Sequence, residues 1–244
     1  HAAALNLEGL AWALRETTAR PEAANGGEGE LVSFSVPGQR GDGLLVIDPT
    51  VQWSTYYGGA GDDKITGAGT DPNNNIIVTG TTSSAGNIAS NGAYQQTIAG
   101  GTDAFVLKLS SSGTRQWATY FGGDADERSS KIRVVGLNTI VAVGTTASTG
   151  GISTTGAFQP GLTGGTDGYI AKFDGSGARN WSTYLGSFGD EELHGLAMNS
   201  GGQIAICGST GSTYGIASAG AHQTVYAGGA HDGFVSLFSP VGSR

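Results

Sequence analysis

Residues 53–59 read WSTYYGG, and this stretch recurs as WATYFGG at residues 117–123 and as WSTYLGS at residues 181–187. The spacing is 64 residues both times. Three further anchors follow each copy in the same order: VTGTT, AVGTT and ICGST at residues 78–82, 142–146 and 206–210; GAYQ, GAFQ and GAHQ at 92–95, 156–159 and 220–223; and DAFV, DGYI and DGFV at 103–106, 167–170 and, one residue late, 232–235. Four anchors in a constant order, three times over, identify an internal repeat.

Each repeat predicts short β-strands. Residues 76–78 and 140–143 are apolar at odd and even positions alike, which is typical of strands covered on both faces. In residues 105–109, Phe105, Leu107 and Leu109 alternate with Val106 and Lys108, as in a strand with one face closer to water. Runs rich in turn residues separate the strands: DPNNN at 71–75, SSSG at 110–113 and DGSG at 174–177. About four strands per repeat is the content of one propeller blade. Gly80, Gly144 and Gly208 follow the most apolar strand, where a missing Cβ would let neighbouring blades approach.

The repeat resembles a known bacterial family. The pattern W-S-T-Y-x-G-G-x-G-D-D, then D-x-x-N-N-I-I-V-T-G-T-T-S, then G-G-T-D-A-F-V-L-K-L is similar to the bacterial β-propeller repeat of the SBBP type. Residues 44–50 (LLVIDPT) also resemble the segment that precedes the first such repeat in large secreted proteins of Bacteroidota. The resemblance covers roughly residues 44–244. It implies an all-β, propeller-like array of four-stranded antiparallel blades and a secreted, extracellular or cell-surface location, and it brings no catalytic residues.

The predicted organisation is a small β-rich lead-in at residues 1–43, with a strand at 31–36, followed by repeats at 53–116, 117–180 and 181–244. If each Trp segment is the outer strand of the preceding blade, the blades are offset from the repeats. Residues 44–57 then form a hairpin that ends an incomplete unit, full blades occupy 64–121 and 128–185, and a third blade at 192–244 lacks its last strand.

The unfinished third blade predicts an unpaired strand edge near residues 234–238. Three blades are too few for a closed propeller, which typically has four to eight. The chain stops where the next Trp segment is expected, which favours a parent protein with further blades. The alternatives are self-association or a protein partner at this edge, or closure by the lead-in strand.

Composition excludes several classes of protein. Of 244 residues, 44 are Gly and six are Pro without a G-X-Y period, so the chain is not collagen-like. Only 13% are charged and 38% are hydrophobic, which favours a folded core. The longest apolar runs are too short to enter a membrane, and a net charge of −8 argues against nucleic acid as a partner. Cys207 is the single cysteine, and it is interpreted as a small core residue because it occupies the position of Thr79 and Val143.

Paired acids are the candidate site residues. They are Asp62 with Asp63, Asp126 with Glu127, and Asp190 with Glu191, each pair just past a Trp segment. A ring of carboxylates could bind a cation or sugar hydroxyls; the plainer interpretation is that the acids cap turns and keep a Gly-rich loop solvated. Residues 58–66 (GGAGDDKIT) fit the calcium nonapeptide G-G-x-G-x-D-x-U-x, but the motif does not repeat after nine residues. The sequence therefore predicts no calcium β-roll and no dedicated metal site, and Ca²⁺ is considered only as a ligand of the acidic loops.

Motifs for catalysis are missing from the sequence. It contains no G-x-S-x-G, H-E-x-x-H or P-loop, so we predict no catalytic residues and no enzyme activity. His194, His222 and His231 all fall in the third repeat and are interpreted as isolated surface residues, with a His194–Glu191 pair as the alternative. Asp103, Asp167 and Asp232 are predicted to close Asx turns.

Three functions are compatible with the sequence, of which a hydrolase on a propeller scaffold is the weakest, and the other two compete. The first is a structural or adhesive repeat module of a bacterial extracellular or cell-surface protein. The second is a lectin-like binder of surface glycans that uses equivalent pockets between blades, supported by the recurring acids and by Trp53, Trp117 and Trp181. Because these Trp residues occupy one structural position in every repeat, we interpret them as packing residues rather than ligand platforms.

Overall fold

The computed structural model describes residues 51–243. The lead-in at residues 1–43, its strand at 31–36 and residues 44–50 lie outside the described residues, and so do the predictions made for them. The described part consists of β-strands, turns and loops, with no helix, so none of its elements is a helix that could cross a membrane.

Eleven strands form three antiparallel sheets within residues 51–243. The first sheet contains β1 (Asp63–Thr70), β2 (Ile76–Thr82), β3 (Asp103–Leu109) and β4 (Arg115–Phe121) in that order. The second contains β5 (Glu127–Val135), β6 (Thr139–Thr146), β7 (Asp167–Phe173) and β8 (Arg179–Leu185). The third contains β9 (Glu191–Met198), β10 (Ile204–Thr210) and β11 (Asp232–Phe238). The all-β class is confirmed, and the sheets begin and end within a few residues of the predicted blades.

The predicted turn at residues 71–75 is built by Asp71. Its Oδ1 accepts hydrogen bonds from the backbone N–H of Asn73 and of Asn75, both at 2.9 Å, while Asn74 takes a positive φ of 58°. Asp71 Oδ2 also lies 3.0 Å from the buried Lys108 ammonium group. Burial alone would raise the pKa of Asp71, but the hydrogen bonds from Asn75 and the charge of Lys108 outweigh it and lower the pKa to about 2.

A β-bulge in the first strand of each sheet explains the glycine of the second strand. In the second sheet the register shifts between Ser129 and Lys131. A Cβ added to Gly144 would lie 2.0 Å from the carbonyl oxygen of Arg128 and 2.7 Å from the ring of Tyr169. Both neighbours belong to the same sheet. The prediction that Gly144 relieves crowding between blades is therefore wrong, because the crowding comes from the bulge and from a ring on the adjacent strand.

Two hydrophobic cores lie between successive sheets, and a third lies on the first sheet, where Trp53 and Tyr57 pack against it. Ile77, Val106 and Phe121 of the first sheet pack with residues of the second, and Phe121 meets Tyr169 and Phe173 at ring-centroid distances of 5.0 and 5.9 Å. The next core joins the second sheet to the third and includes the following buried residues: Val141, Val143, Ile170, Leu193, Ile204 and Phe238. Packing contacts thus run from the first sheet to the second and from the second to the third.

Two predictions about the outermost elements need correction. Residues 51–57 were expected to be a strand of a hairpin, but they form no strand, because no described strand lies beside them. Cys207 was expected in the core, but it is exposed, because no described residue covers the outer face of the third sheet. The predicted open edge is present: among the described strands, β11 pairs only with β10.

Candidate functional site

The second acid of each predicted pair braces the start of a sheet. Glu191 is fully buried; its Oε2 accepts a hydrogen bond from the Ser187 N–H at 2.8 Å and its Oε1 accepts one from the Thr210 hydroxyl at 2.5 Å. Glu127, also fully buried, makes the same two contacts one repeat earlier, with Gly123 and Thr146. The side chain therefore ties the turn before the first strand to the end of the second strand.

A Thr-x-Ser motif completes each brace, and the sequence interpretation missed its role. The Ser148 N–H donates to the Thr146 hydroxyl at 3.0 Å, and the Ser148 hydroxyl accepts from the Ala125 N–H at 2.8 Å. The same residue types recur at 82–84, 146–148 and 210–212. That recurrence at the repeat spacing was the signal available in the sequence.

The first acid of each pair is exposed, and in the second and third pairs it links neighbouring sheets. Asp126 Oδ1 accepts a hydrogen bond from the Thr102 N–H at 2.9 Å, and Asp190 Oδ1 accepts one from the Thr166 N–H at 2.9 Å. Thr102 and Thr166 lie just before the third strand of the preceding sheet. Asp62, Asp126 and Asp190 are therefore solvated as interpreted. Glu127 and Glu191 cap the preceding turn as interpreted, but they are buried, so the interpretation that they keep the loop solvated is wrong.

Asp103 and Asp167 do not close Asx turns, so that prediction is wrong. An Asx turn would direct the side chain at the backbone two residues ahead. Asp167 Oδ2 instead accepts hydrogen bonds from residues behind it, the Gln159 side-chain amide at 2.6 Å and the Thr163 N–H at 3.0 Å. Asp103 makes the equivalent bonds with Gln95 and Ala99.

The buried acids of successive sheets face each other across a glycine. A Cβ added to Gly186 would lie 2.3 Å from Asp167 Oδ1 and 2.4 Å from Glu191 Oε2, so a larger residue there would displace one of the two carboxyl groups. Gly122 occupies the same position between Asp103 and Glu127. In the second junction Asp167 Oδ1 is buried and has no hydrogen-bond partner among the described residues. We name these two features the acid junctions, Asp103 with Glu127 and Asp167 with Glu191.

Burial controls the protonation of the acid junctions. Burial, together with the nearby charge of Glu191, outweighs the hydrogen bonds that Asp167 accepts and raises the pKa of Asp167 to about 7. Burial likewise raises the pKa of Asp103 and of Glu127. Asp167 therefore keeps its proton to a pH well above that at which an exposed carboxyl group loses it.

Metal-ligand geometry is missing from these loops. Within residues 51–243, no three acidic, His or Cys side chains are arranged to hold a metal ion. The nonapeptide at residues 58–66 leads into β1, which pairs antiparallel with β2, and not into a β-roll. Its Asp63 carboxylate accepts hydrogen bonds from the Gly59 N–H at 2.8 Å and from the Ser84 hydroxyl at 2.9 Å.

His194 contacts Glu192 and Ser209 rather than Glu191. Its Nε2 lies 3.2 Å from the Ser209 hydroxyl and 3.8 Å from a Glu192 carboxylate oxygen. A nucleophile–base–acid relay uses both ring nitrogens, one for the hydroxyl and one for the acid. Here one nitrogen faces both groups at an exposed site, so the three residues do not form such a relay. His222 and His231 are exposed as well.

An aromatic groove lies between the first and second sheets. Trp117 is half-buried, and its indole N–H donates to the Gly175 carbonyl of the next sheet at 2.9 Å. The Arg179 guanidinium group stacks over the Tyr94 ring, 4.4 Å from the ring centroid. Ser90, Asn91 and Gln116 supply polar groups to the same groove. Of these groove residues the sequence interpretation singled out Trp117 and missed the others, including Tyr94 and Arg179.

The chain was also compared with known proteins. No protein-family model matches it, and no curated protein shows significant similarity to it. The SBBP resemblance therefore stays a prediction.

Proposed function

We propose that this chain is a non-enzymatic structural repeat module of the SBBP propeller type, part of a bacterial secreted or cell-surface protein or assembly. One observation carries the proposal. The repeated acids, which are the residues best suited to chemistry, are engaged in holding the sheets together and to one another. Glu127 and Glu191 are buried braces, and Asp126 and Asp190 cross to the preceding sheet.

The location is supported by composition and by the resemblance. Low charge and many Gly, Ser and Thr residues are typical of extracellular repeat arrays, and the LLVIDPT segment at residues 44–50 resembles one found in secreted proteins. The sheets follow one another through equivalent junctions, which suits their assembly as propeller blades.

Thermal unfolding with and without calcium tests this function. If Glu191 is a brace, Glu191→Ala lowers the melting temperature, and the loss is the same with and without millimolar Ca²⁺. Glu192→Ala, a change to the exposed neighbour, serves as the control. Stabilisation of the unmodified chain by Ca²⁺ that disappears in Glu191→Ala would instead assign cation binding to the acidic loops.

The aromatic groove favours carbohydrate binding as the second candidate function. Tyr94 and Trp117 offer ring surface beside hydroxyl and amide groups, a combination suited to sugars. A glycan array compares the unmodified chain with Tyr94→Ala, and Tyr226→Ala outside this groove is the control. Glycan binding lost only in Tyr94→Ala would support this candidate, and no binding by the unmodified chain would exclude it.

A further inference from the structure

Two segments lack the neighbours that their counterparts have. β11 pairs only with β10 among the described strands, whereas β3 and β7 each have a fourth strand beside them. Residues 51–57, the counterpart of β4 and β8 by the 64-residue repeat, lie in no sheet. Tyr56 is fully exposed, whereas its counterparts Tyr120 and Tyr184 are completely buried.

We propose that residues 51–57 of a second copy of this chain pair with β11 as the fourth strand of the third sheet. The proposal goes beyond the function proposed above, because it rests on repeat geometry alone and names the partner of an edge outside the aromatic groove.

The register follows from the two complete sheets. Tyr120 lies opposite Phe105, and Tyr184 lies opposite Tyr169. Shifted by one repeat, Tyr56 of the second copy lies opposite Phe234. The same shift places Trp53 opposite Leu237, as Trp117 lies opposite Lys108.

The third sheet also offers the hydrogen-bond partners that this strand needs. The hydroxyl groups of Tyr120 and Tyr184 donate to the Ser84 and Ser148 carbonyls at 2.7 and 2.9 Å. The counterpart acceptor for Tyr56 is the carbonyl of the buried Ser212. A groove lies where the strand would fit, between β11 and the preceding loop, lined among others by Tyr214, Ala217, Gln223, Phe234 and Ser236.

The sheet faces agree with the strand pairing. Thr79 of the first sheet contacts Ser129 of the second, with 2.6 Å between their hydroxyl oxygens. Shifted by the repeat, this contact joins Cys207 of the third sheet to Ile65 of a following first sheet. Cys207 is exposed and Ile65 is 49% exposed. Head-to-tail packing of two copies would cover both residues.

The chain's own residues 51–57 cannot fill this edge while they keep their present contacts. Trp53 donates to the Ser111 carbonyl of the first sheet at 2.8 Å, as Trp181 donates to Pro240 of the third sheet at 3.2 Å. The second sheet packs between the first and the third. A second copy, joined head to tail, supplies the strand without breaking the Trp53 contact. Two such copies would bring six sheets into one ring, within the four to eight blades that propellers use.

Disulfide cross-linking tests the predicted contact. Ile65→Cys, oxidised and run on a non-reducing gel, is expected to give a two-chain product through Cys207. Leu137→Cys is the matched control, because Leu137 is also 49% exposed and lies in a turn of the second sheet. Equal cross-linking of the two variants, or none in either, would overturn the proposal.

Sedimentation of the unmodified chain and Tyr56→Ala tests the strand itself. Tyr56 is exposed within its own chain, so its removal leaves the folded copy intact. We expect dimerisation about 100-fold weaker in the variant, as for a buried aromatic anchor at an interface. An unmodified chain that stays monomeric with fast amide exchange through β11 would overturn the proposal, as would dimerisation that Tyr56→Ala leaves unchanged.

Discussion

Replacing Asp167 with Asn should stabilise the protein at neutral pH. The Asp167 Oδ1 atom is buried, has no hydrogen-bond partner in the described part of the chain and faces the Glu191 carboxylate. An Asn side chain can keep an oxygen toward Gln159 and Thr163, which now donate to Oδ2, and turn its amide N–H toward Glu191. Above about pH 7 the Asp167 carboxyl group is ionised beside the charge of Glu191, whereas the Asn side chain is neutral and can donate a hydrogen bond there.

The magnitude follows from the raised pKa. In the folded protein the pKa of Asp167 is about 7, against about 3.9 in an unfolded chain. A raised carboxyl pKa favours the folded state fully below about pH 4, and this contribution is lost as the pH rises to about 7. At about 1.4 kcal/mol per pH unit the loss is at most about 4 kcal/mol, and solvent screening near the loops reduces it to roughly 1–3 kcal/mol.

Urea unfolding at pH 4, 6 and 8 measures this effect. We expect Asp167→Asn to exceed the unmodified chain at pH 8 by roughly 1–3 kcal/mol and to lose that advantage at pH 4. Asp103→Asn is the control, because Asp103 Oδ1 already accepts a hydrogen bond from the Gly100 N–H at 3.1 Å, which an amide nitrogen would lose. The reasoning is refuted if Asp167→Asn destabilises the protein equally at pH 4 and pH 8.

Two further predictions concern single side chains. Asp71→Asn leaves the buried Lys108 without its charge partner and should lower the free energy of unfolding by about 3 kcal/mol at pH 7, measured in urea. Because the pKa of Asp71 is about 2, the stability difference between the variant and the unmodified chain should shrink as the pH falls toward 2. A difference that stays constant with pH would contradict this assignment. Trp117→Ala removes the packing of the indole ring on the turn at Gly177 and its hydrogen bond to the Gly175 carbonyl. Calorimetry should show a free energy of unfolding lower by about 2–4 kcal/mol. Unchanged stability together with lost glycan binding would instead make Trp117 a ligand platform.

Local features of the fold were predictable because local chemistry determines them. The turn at Asp71 needs only a carboxylate and nearby backbone N–H groups, all within five residues. Strand positions followed from short apolar runs between turn residues, and the sheet boundaries followed from the offset of each Trp segment. The wetter face expected for residues 105–109 is wrong, because β3 is buried along its whole length. Because of the repeat, each of these patterns occurs three times in the sequence.

The acid junctions were not predictable in the same way. Asp167 and Glu191 are 24 residues apart and start strands of different sheets. Their approach depends on how one sheet packs on the next, and no spacing motif encodes that packing. The glycine between them gave a hint, since Gly122 and Gly186 recur with the repeat, but a turn favours glycine for its backbone freedom whether or not side chains crowd it.

Burial depends on neighbours that the local sequence does not contain. Tyr56 and Tyr120 both follow a Trp, a small residue and a Thr, yet the first is exposed and the second completely buried. The same holds for Cys207, which is exposed where Thr79 and Val143 are buried. Tyr56 lies in no sheet, whereas Tyr120 lies on the fourth strand of the first sheet and packs in its core. Cys207 lies on the outer face of the third sheet, whereas Thr79 and Val143 lie where the following sheet packs on them. Each repeat therefore supplies one surface for the repeat before it and one for the repeat after it. Whether such a surface is buried depends on the presence of that neighbouring repeat, in this chain or in another copy.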